Sequence, residues 1–284
     1  MDAAIAHRIT ATLASVEYLS STPDVSMKLL SKVKDENSSM ADIAAVILPN
    51  PALSASLLRL ANSVFYSRGA QIATVSHALV HLGLTAVVNY VFAIEMMNTF
   101  HAAGIQSGFD GAVFWKSSLA GALLAQELAA QAGVDDAETV FLSGLLRNMG
   151  VLVLRQYFQD IFSDVCASVQ AHKLGFNQAC KNACGGLDHQ AMAFILAERW
   201  GLPMKIAATF QPPAHAAPRY DEIMAIRNMV IFSDHLLKTK SMFQWDRYAQ
   251  VDPAVAILTY VPAERIDPII SKIVSEVNEF FNIF

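Results

Sequence analysis

Apolar residues recur along this chain at the spacing of helices rather than of strands. The segment that begins at Asn50 shows this well, because its large side chains form one stripe: Leu53, Leu57, Leu60, Ala61 and Val64. β-branched residues follow the same spacing, and no turn flanked by alternating apolar residues predicts a hairpin. The pattern therefore predicts an all-α protein of about a dozen helices.

Polar residues at the starts of these stripes predict where helices begin. Ser39 with Asp42 is typical of a helix N-terminus, and Asn50 is followed by a proline in the first turn. Asp135 with Glu138, three positions later, predicts a capping box before a mid-chain helix.

That helix contains the most apolar stretch of the chain, FLSGLLRNMG at 141–150. Such a helix should be buried on most sides, yet it carries Arg147 and Asn148 next to each other. Both side chains then need polar partners inside the protein. Gly150 predicts a helix end or a tight join.

The pattern also divides the chain. Residues 1–19 form one helix, and a soft boundary falls in the glycine-containing stretch 104–111. A last helix from Ala263 to Phe281 repeats isoleucine, valine and phenylalanine at helical spacing. The sequence therefore predicts two helical lobes, the first ending at about residue 110.

Composition narrows the class of protein. Over 284 residues, 54% hydrophobic and 16% charged content predict a compact fold, and the net charge of −5 disfavours nucleic-acid binding. The start of the chain lacks the pattern of a signal peptide. The uncharged run Ala78–Ile94 is shorter than a bilayer span, so a buried helix pair is expected there. We therefore expect a cytoplasmic protein without membrane or nucleic-acid partners.

Several motifs then occur in a fixed order along the chain: NPALSASLLRLANSVFYS (50–67), IATVSHALVHLG (72–83), FLSGLLRNMG (141–150) and GLDHQAMAFILAERWGLP (186–203). Together they resemble the HDOD domain, a bacterial signalling module related to the HD phosphohydrolases. The resemblance covers about residues 20–215. It implies an N-terminal helical lobe to about 110 and an HD-like helical bundle after it, with residues 216–284 as C-terminal helices that complete the HD-like lobe.

The resemblance also implies a chemistry to test. HD enzymes bind divalent metal through a histidine, an adjacent His-Asp pair and a distant aspartate, and the metal activates water. In this sequence the first histidine corresponds to Ser117, the pair to Arg147 and Asn148, and the last aspartate to Asp234. Serine and asparagine are weak neutral ligands, and arginine has no lone pair to give. We therefore expect no metal, no cofactor and no enzyme activity.

Two interpretations of Arg147 stay open. Its guanidinium could take the place of the metal, paired with Asp234 and with Asp188 as a second partner. Alternatively, Arg147 points outward at a helix end, since a buried pair often gives no net gain in stability.

A residual ligand set is a further alternative. His189 and His215 correspond to histidines that some HD proteins use, and with Asp234 they would make two histidines and a carboxylate. Against this, Asp188 at the start of a helix is explained as an N-cap, which leaves His189 a structural role.

Three functions follow from these expectations. The first is a non-catalytic signal-transduction protein that acts through other signalling proteins, as a monomer or a homodimer. The second is a residual metal-dependent phosphohydrolase, acting on nucleotides or cyclic dinucleotides. The third is a small-molecule or nucleotide sensor that keeps the old active-site cleft, with Lys116, Arg147 and His215 supplying positive charge.

Overall fold

Helices make up most of the chain that the structure, a computed structural model, describes. It describes residues 2–15, 24–35, 37–66, 69, 71–100, 105–106, 108–134, 136–211, 219–249 and 262–283. The predicted all-α class is confirmed. The chain divides into a larger unit, residues 1–20 and 102–270, and a smaller unit, residues 21–101 and 271–284.

Within the part of the smaller unit that the structure describes there are five complete helices: α2 (Asp24–Lys34), α3 (Met40–Ile47), α4 (Pro51–Ala61), α5 (Val75–Leu82) and α6 (Leu84–Thr99). Ser39 and Asp42 form a capping box at the predicted start of α3, and Asn50 caps α4. Helices α5 and α6 bend by 114° at Gly83, so the uncharged run Ala78–Ile94 is a helix pair as expected.

In the larger unit, the described residues form nine complete helices: α1 (Asp2–Ser15), α7 (Gly111–Gln131), α8 (Ala137–Leu146), α9 (Met149–Tyr157), α10 (Gln159–His172), α11 (Phe176–Ala183), α12 (His189–Arg199), α13 (Met204–Phe210) and α14 (Tyr220–Thr239). A hairpin of two short antiparallel strands, β1 (Ile105–Gln106) and β2 (Phe109–Asp110), precedes α7. The sequence did not predict this hairpin, because two-residue strands leave no alternating pattern.

Helices α7 and α8 form the centre of the larger unit. All residues of α8 from Thr139 to Leu146 are buried, as the sequence predicted. A Cβ at Gly144 of α8 would lie 2.7 Å from the backbone of Ala122, so only glycine lets α7 and α8 approach this closely. The capping residue of α8 is Asp136, which accepts from Thr139 N at 3.1 Å. The predicted cap, Asp135, lies outside the described residues.

The stretch Ala137–Tyr157, which spans α8 and α9, is long and apolar enough to cross a membrane by length and composition. However, 83% of its most apolar 18-residue segment is buried inside the protein. Its apolar side chains are thus already covered by the neighbouring helices.

The last helix, α15 (Ala263–Ile283), corrects one expectation about domain organisation. Residues 216–284 were expected to complete the HD-like lobe, but residues 271–284 belong to the smaller unit. There Phe280 is fully buried and stacks on Tyr90 at 5.1 Å, and Glu276 accepts hydrogen bonds from Tyr66 and Tyr90. Residues 1–19, expected as a separate N-terminal helix, fall within the larger unit.

Candidate functional site

Arg147 and Asn148 lie at the junction between α8 and α9 in the larger unit. Helix α8 ends at Leu146, and α9 begins at Met149. Gly150 lies inside α9, so the helix end predicted there is wrong, and the alternative prediction of a tight join agrees with its close approach to α12. A Cβ at Gly150 would come within 2.0 Å of the carbonyl oxygen of His189. Glycine lets α9 approach α12, which brings Asn148 next to His189.

The guanidinium of Arg147 forms an ion pair with the carboxylate of Asp234 on α14. Nη1 lies 2.9 Å from Oδ2, and the two side chains are 17% and 29% exposed. This pair is the first of the two interpretations that stayed open in the sequence analysis, and the outward-pointing alternative is wrong. Arg147 Nε and Nη1 are buried without a hydrogen-bond partner in the described part of the chain, so charge rather than aligned hydrogen bonds holds the pair.

Gly121 of α7 makes room for Asp234. A Cβ at this glycine would lie 2.6 Å from Asp234 Oδ1, below the 3.0 Å that side chains keep. Burial raises the pKa of the Asp234 carboxyl, while the positive charge of Arg147 acts in the opposite direction. Arg147 thus offsets part of the cost of burying this carboxylate between α7 and α14.

His189 is buried and bonded to Asn148. Its Nε2 lies 3.2 Å from Asn148 Oδ1, so Nε2–H donates to this amide oxygen. Burial lowers the pKa of His189 to about 3, and the positive charges of Arg147 and Lys181 act in the same direction. Its Nδ1 has no hydrogen-bond partner among the described residues. His189 therefore serves as a neutral donor that fixes the amide of Asn148.

Asp188 has the structural role that the sequence suggested. Its Oδ1 accepts from Ala191 N at 2.7 Å and caps α12, which confirms the N-cap. Its Oδ2 lies 3.3 Å from Lys181 Nζ. Its ion pair is thus with Lys181, and the expectation that Asp188 would be a second partner of Arg147 is wrong.

The remaining expected site residues differ in where they lie relative to a cavity beside Arg147. Ser117 is buried on α7 and lines the same cavity as Arg147. Lys116 does not line the cavity. Its ammonium lies 5.9 Å from the ring centroid of Phe243, which does line the cavity. His215 lies outside the described residues.

A cavity of about 280 Å³ lies beside the ion pair. Its described charged lining is Arg147, Arg227, Lys238, Asp234 and Asp246. Its described uncharged polar lining is Ser117, Asn148, Asn177, His189, Gln190 and Gln244. Its described apolar lining is Ile231, Leu237, Met242, Phe243, Trp245 and Ala249. The cavity thus brings together all four positions that correspond to HD metal ligands.

Two further cations of this cavity come from α14 and were not identified from the sequence. Arg227 donates to the carbonyl oxygens of Thr209 and Phe210, and Lys238 donates to that of Ala249. Burial lowers the pKa of Arg227 to about 10, and the charge of Arg147 adds to this effect. The spacing of Arg227, Asp234 and Lys238, i, i+7 and i+11, places them on one helical face and could have indicated this.

The segment 240–249 forms another wall that the sequence analysis missed. The ring of Trp245 lies 5.2 Å from that of Phe114 and 5.6 Å from that of Phe176, in an aromatic cluster. Asp246 Oδ2 accepts from Phe176 N at 3.0 Å. Burial raises the pKa of Asp246 to about 6. The only signal in this irregular stretch was a tryptophan followed by an aspartate between polar residues.

The divalent metal of HD enzymes does not fit the residues present. Among the described residues, no group of three or more His, Cys, Asp or Glu side chains could hold a metal ion. Arg147 puts a fixed positive charge on Asp234, the one carboxylate of the expected set. Ser117 and Asn148 add only neutral oxygens. The described lining of the cavity therefore lacks the ligand set of an HD metal site.

With the fold and the cavity established, comparison with known proteins identifies the family. The family model of the HDOD domain matches residues 19–213, more than half of the chain. The chain therefore belongs to the HDOD domain family. It is 20% identical over 231 residues to an uncharacterized protein of Treponema pallidum (strain Nichols), covering 79% of this chain and spanning 44% of that relative's length.

Solved structures share the fold at low identity. An HDOD domain protein of unknown function from Geobacter sulfurreducens is similar with a TM-score of 0.76 at 24% identity, over 92% of this chain and 93% of that one. A "Putative signal transduction protein" from Marinobacter aquaeolei VT8 gives 0.72 at 22%, over 92% and 58%. A "Putative phosphohydrolase" from Shewanella amazonensis SB2B gives 0.71 at 22%, over 96% and 97%. At these identities the similarity establishes the fold alone.

Proposed function

We propose that this chain is a non-catalytic regulatory protein of signal transduction, which acts in the cytoplasm through other signalling proteins. The observation that carries the proposal is the Arg147–Asp234 ion pair, with 2.9 Å between Nη1 and Oδ2. A guanidinium cannot lose its proton in a protein and repels a metal cation. The guanidinium of Arg147 places a positive charge beside Asp234, where a metal ion would otherwise bind. Unlike a metal ion, it does not activate a water molecule.

The pair supports a scaffolding role in physical terms. Arg147 ends α8 and Asp234 lies on α14, so their attraction connects two elements around the cavity. A metal in related enzymes binds helices together and also activates water. Arg147 retains the first effect without the second. The HDOD family assignment supports signalling as the setting of this role.

The first test is metal content, measured by inductively coupled plasma mass spectrometry on untagged protein purified without chelators. We expect no stoichiometric iron, manganese, zinc or magnesium in a protein that stays folded. Stoichiometric metal would overturn the proposal and favour the residual phosphohydrolase, which needs His189, His215 and Asp234 as ligands.

A restored variant provides the matched control. Ser117→His, Arg147→His and Asn148→Asp together return the three missing HD ligands beside Asp234. We expect this triple variant to retain manganese or iron after purification while the natural chain does not. Hydrolysis of bis(4-nitrophenyl) phosphate by the natural chain with added manganese would contradict the proposal, whatever the triple variant does.

The small-molecule sensor is a second candidate, and the cavity of about 280 Å³ is the specific observation that favours it. A sensor of this kind is compatible with a non-catalytic regulatory protein, because ligand binding would then supply its input. Of the three cations expected to bind phosphate in the cleft, Arg147 alone lines the cavity among the described residues.

A further inference from the structure

The charges around the cavity limit the kind of ligand that it can hold. Its described lining carries three cations, Arg147, Arg227 and Lys238, and two carboxylates, Asp234 and Asp246. One positive charge is therefore in excess when both carboxylates are ionised. A single negative charge balances that excess, whereas a phosphate dianion would be forced close to two carboxylates in a small space. The charge balance favours a monoanion.

Of the three cations, Arg147 has the greatest unused capacity for binding. Arg227 already donates to two carbonyl oxygens and to Gln190 Oε1, and Lys238 donates to a carbonyl oxygen. Arg147 Nε and Nη1 make no hydrogen bond to described residues. A guanidinium binds a carboxylate best through two parallel N–H···O bonds. Asp234, 29% exposed and held by charge alone, is the group that such a ligand would displace.

Part of the cavity lining is apolar. Trp245 and Phe243 form this part together with Ile231 and Leu237. The Trp245 ring is fixed in place by the surrounding aromatic cluster, so it presents a rigid surface. The volume of about 280 Å³ lies at the lower end of ligand pockets, which span about 300–1,000 Å³. The cavity therefore suits a small ligand with an apolar body rather than a dinucleotide.

We infer that this cavity binds a small aromatic or branched monocarboxylate. Its carboxylate displaces Asp234 and pairs with Arg147, and its apolar body lies against Trp245 and Phe243. The inference rests on the proposed non-catalytic function, because it needs Arg147 rather than a metal as the cation of the site. Occupancy would release Asp234 from the α8–α9 junction, which gives α14 a different set of contacts in the bound and free states.

The test is isothermal titration calorimetry on the full chain with phenylacetate and indole-3-acetate as probes. We expect at least one acid to bind with a Kd of about 1 mM or below. Phenylacetamide, the neutral isostere, and phenyl phosphate, the dianion, should each bind at least about tenfold more weakly, since a charge-assisted hydrogen bond is worth that factor or more.

Variants identify the group that binds the acid. Arg147→Gln should weaken binding by about tenfold or more, because it removes the positive charge. Arg147→Lys should weaken binding less, because lysine keeps the charge and loses only the two parallel N–H···O bonds of the guanidinium. Asp234→Asn removes the competing carboxylate and should tighten binding by about tenfold. Arg8→Gln, in the exposed pair with Asp160, is the matched control and should change nothing. Far-UV circular dichroism verifies that each variant is folded.

Several outcomes would overturn the inference. They are no heat of binding from either acid at millimolar concentration, equal binding of phenylacetamide, tighter binding of phenyl phosphate, or unchanged binding in folded Arg147→Gln or Arg147→Lys protein. Metal content is measured on the same samples. Stoichiometric metal would overturn the proposed function. Metal-free protein that binds neither phenylacetate nor indole-3-acetate would overturn this inference alone.

Discussion

In the proposed function, Arg147 takes over the structural effect of a metal ion. It lies 2.9 Å from Asp234, and both are largely buried. An ion pair of this kind need not stabilise the fold relative to two apolar residues, because both charges lose their water. Removing one partner is different, since it leaves the other charge in the protein without compensation.

Arg147→Ala is therefore expected to destabilise the protein, by about 1–3 kcal/mol once the partial exposure of the pair is allowed for. The loss should be smaller in an Asp234→Asn background, where no charge is stranded. Urea unfolding of the four proteins gives the coupling between the two positions. An Arg147→Ala protein as stable as the natural one would contradict a stabilising role for this pair.

Asp246 makes stability depend on pH. Burial raises its pKa from 3.8 to about 6, so the folded state holds its proton more tightly than the unfolded state. Its contribution to stability is full below the unfolded pKa and is lost as the pH rises through about 6. Asp246→Asn should therefore be more favourable at pH 7 than at pH 4, by about 1–2 kcal/mol.

The measurement is the urea midpoint of the natural chain and of Asp246→Asn at both pH values. Asp160→Asn is the control, because hydrogen bonding lowers the pKa of this exposed carboxyl and reverses the expected sign. An effect of Asp246→Asn that is the same at pH 4 and pH 7 would show that the carboxyl is not perturbed.

At the scale of helices, a contact could be predicted from the sequence when its two residues lie close together along the chain, and not when they lie far apart. Caps such as Ser39 and Asp188 act within one helical turn, so their residue types identify them. The pairing of Arg147 with Asp234 joins positions far apart, and only the family resemblance suggested it. Trp245 and Asp246 lie in an irregular segment, where no periodicity indicates burial.

The apolar stripe of α15 shows the same limit. Its spacing correctly predicted a helix with one buried face. Spacing carries no information about which neighbour covers that face, and the final residues 271–284 belong to a different unit from the one expected.

The approach of α14 to α7 depends on Gly121, and Gly121→Ala tests it. In a helix interior, alanine in place of glycine normally adds about 1 kcal/mol of stability. Here the new Cβ would lie 2.6 Å from Asp234 Oδ1, so overpacking should reverse the sign. We expect a net loss of about 1–2 kcal/mol in urea unfolding.

The double variant Gly121→Ala with Asp234→Ala is the control for this prediction, because it removes the carboxylate that the new methyl group would meet. Alanine at position 121 should be stabilising, or at least neutral, in that background. A stabilising effect in the natural background would show that Asp234 can move away without loss.

At the scale of the whole molecule, the folding unit extends beyond the segment that matches the family model. The HDOD match ends at residue 213, yet α14 begins at Tyr220 and supplies Asp234 and Arg227 to the cavity. The smaller unit likewise takes Phe280 into its core from α15.

A fragment of residues 19–213 is therefore expected to fold poorly. It would expose the apolar surface of α7 and α8 that α14 covers, and it would leave Arg147 without its partner. We expect loss of the cooperative urea transition and self-association on size-exclusion chromatography, compared with the full chain as control. A monomeric fragment with a cooperative transition would show that α14 and α15 are additions to an independent domain.

Helix α15 also bears on how such a protein can be inherited. The chain leaves the larger unit after residue 20, re-enters it at residue 102 and returns to the smaller unit within one continuous helix. A recombination event at the crossing near residue 102 would pass on a smaller unit without the helix that fills its core. The last crossing, within α15, offers no loop at which genes could be joined without breaking a helix. The two units are therefore expected to have been transmitted together, as a single cassette, rather than exchanged separately between signalling genes.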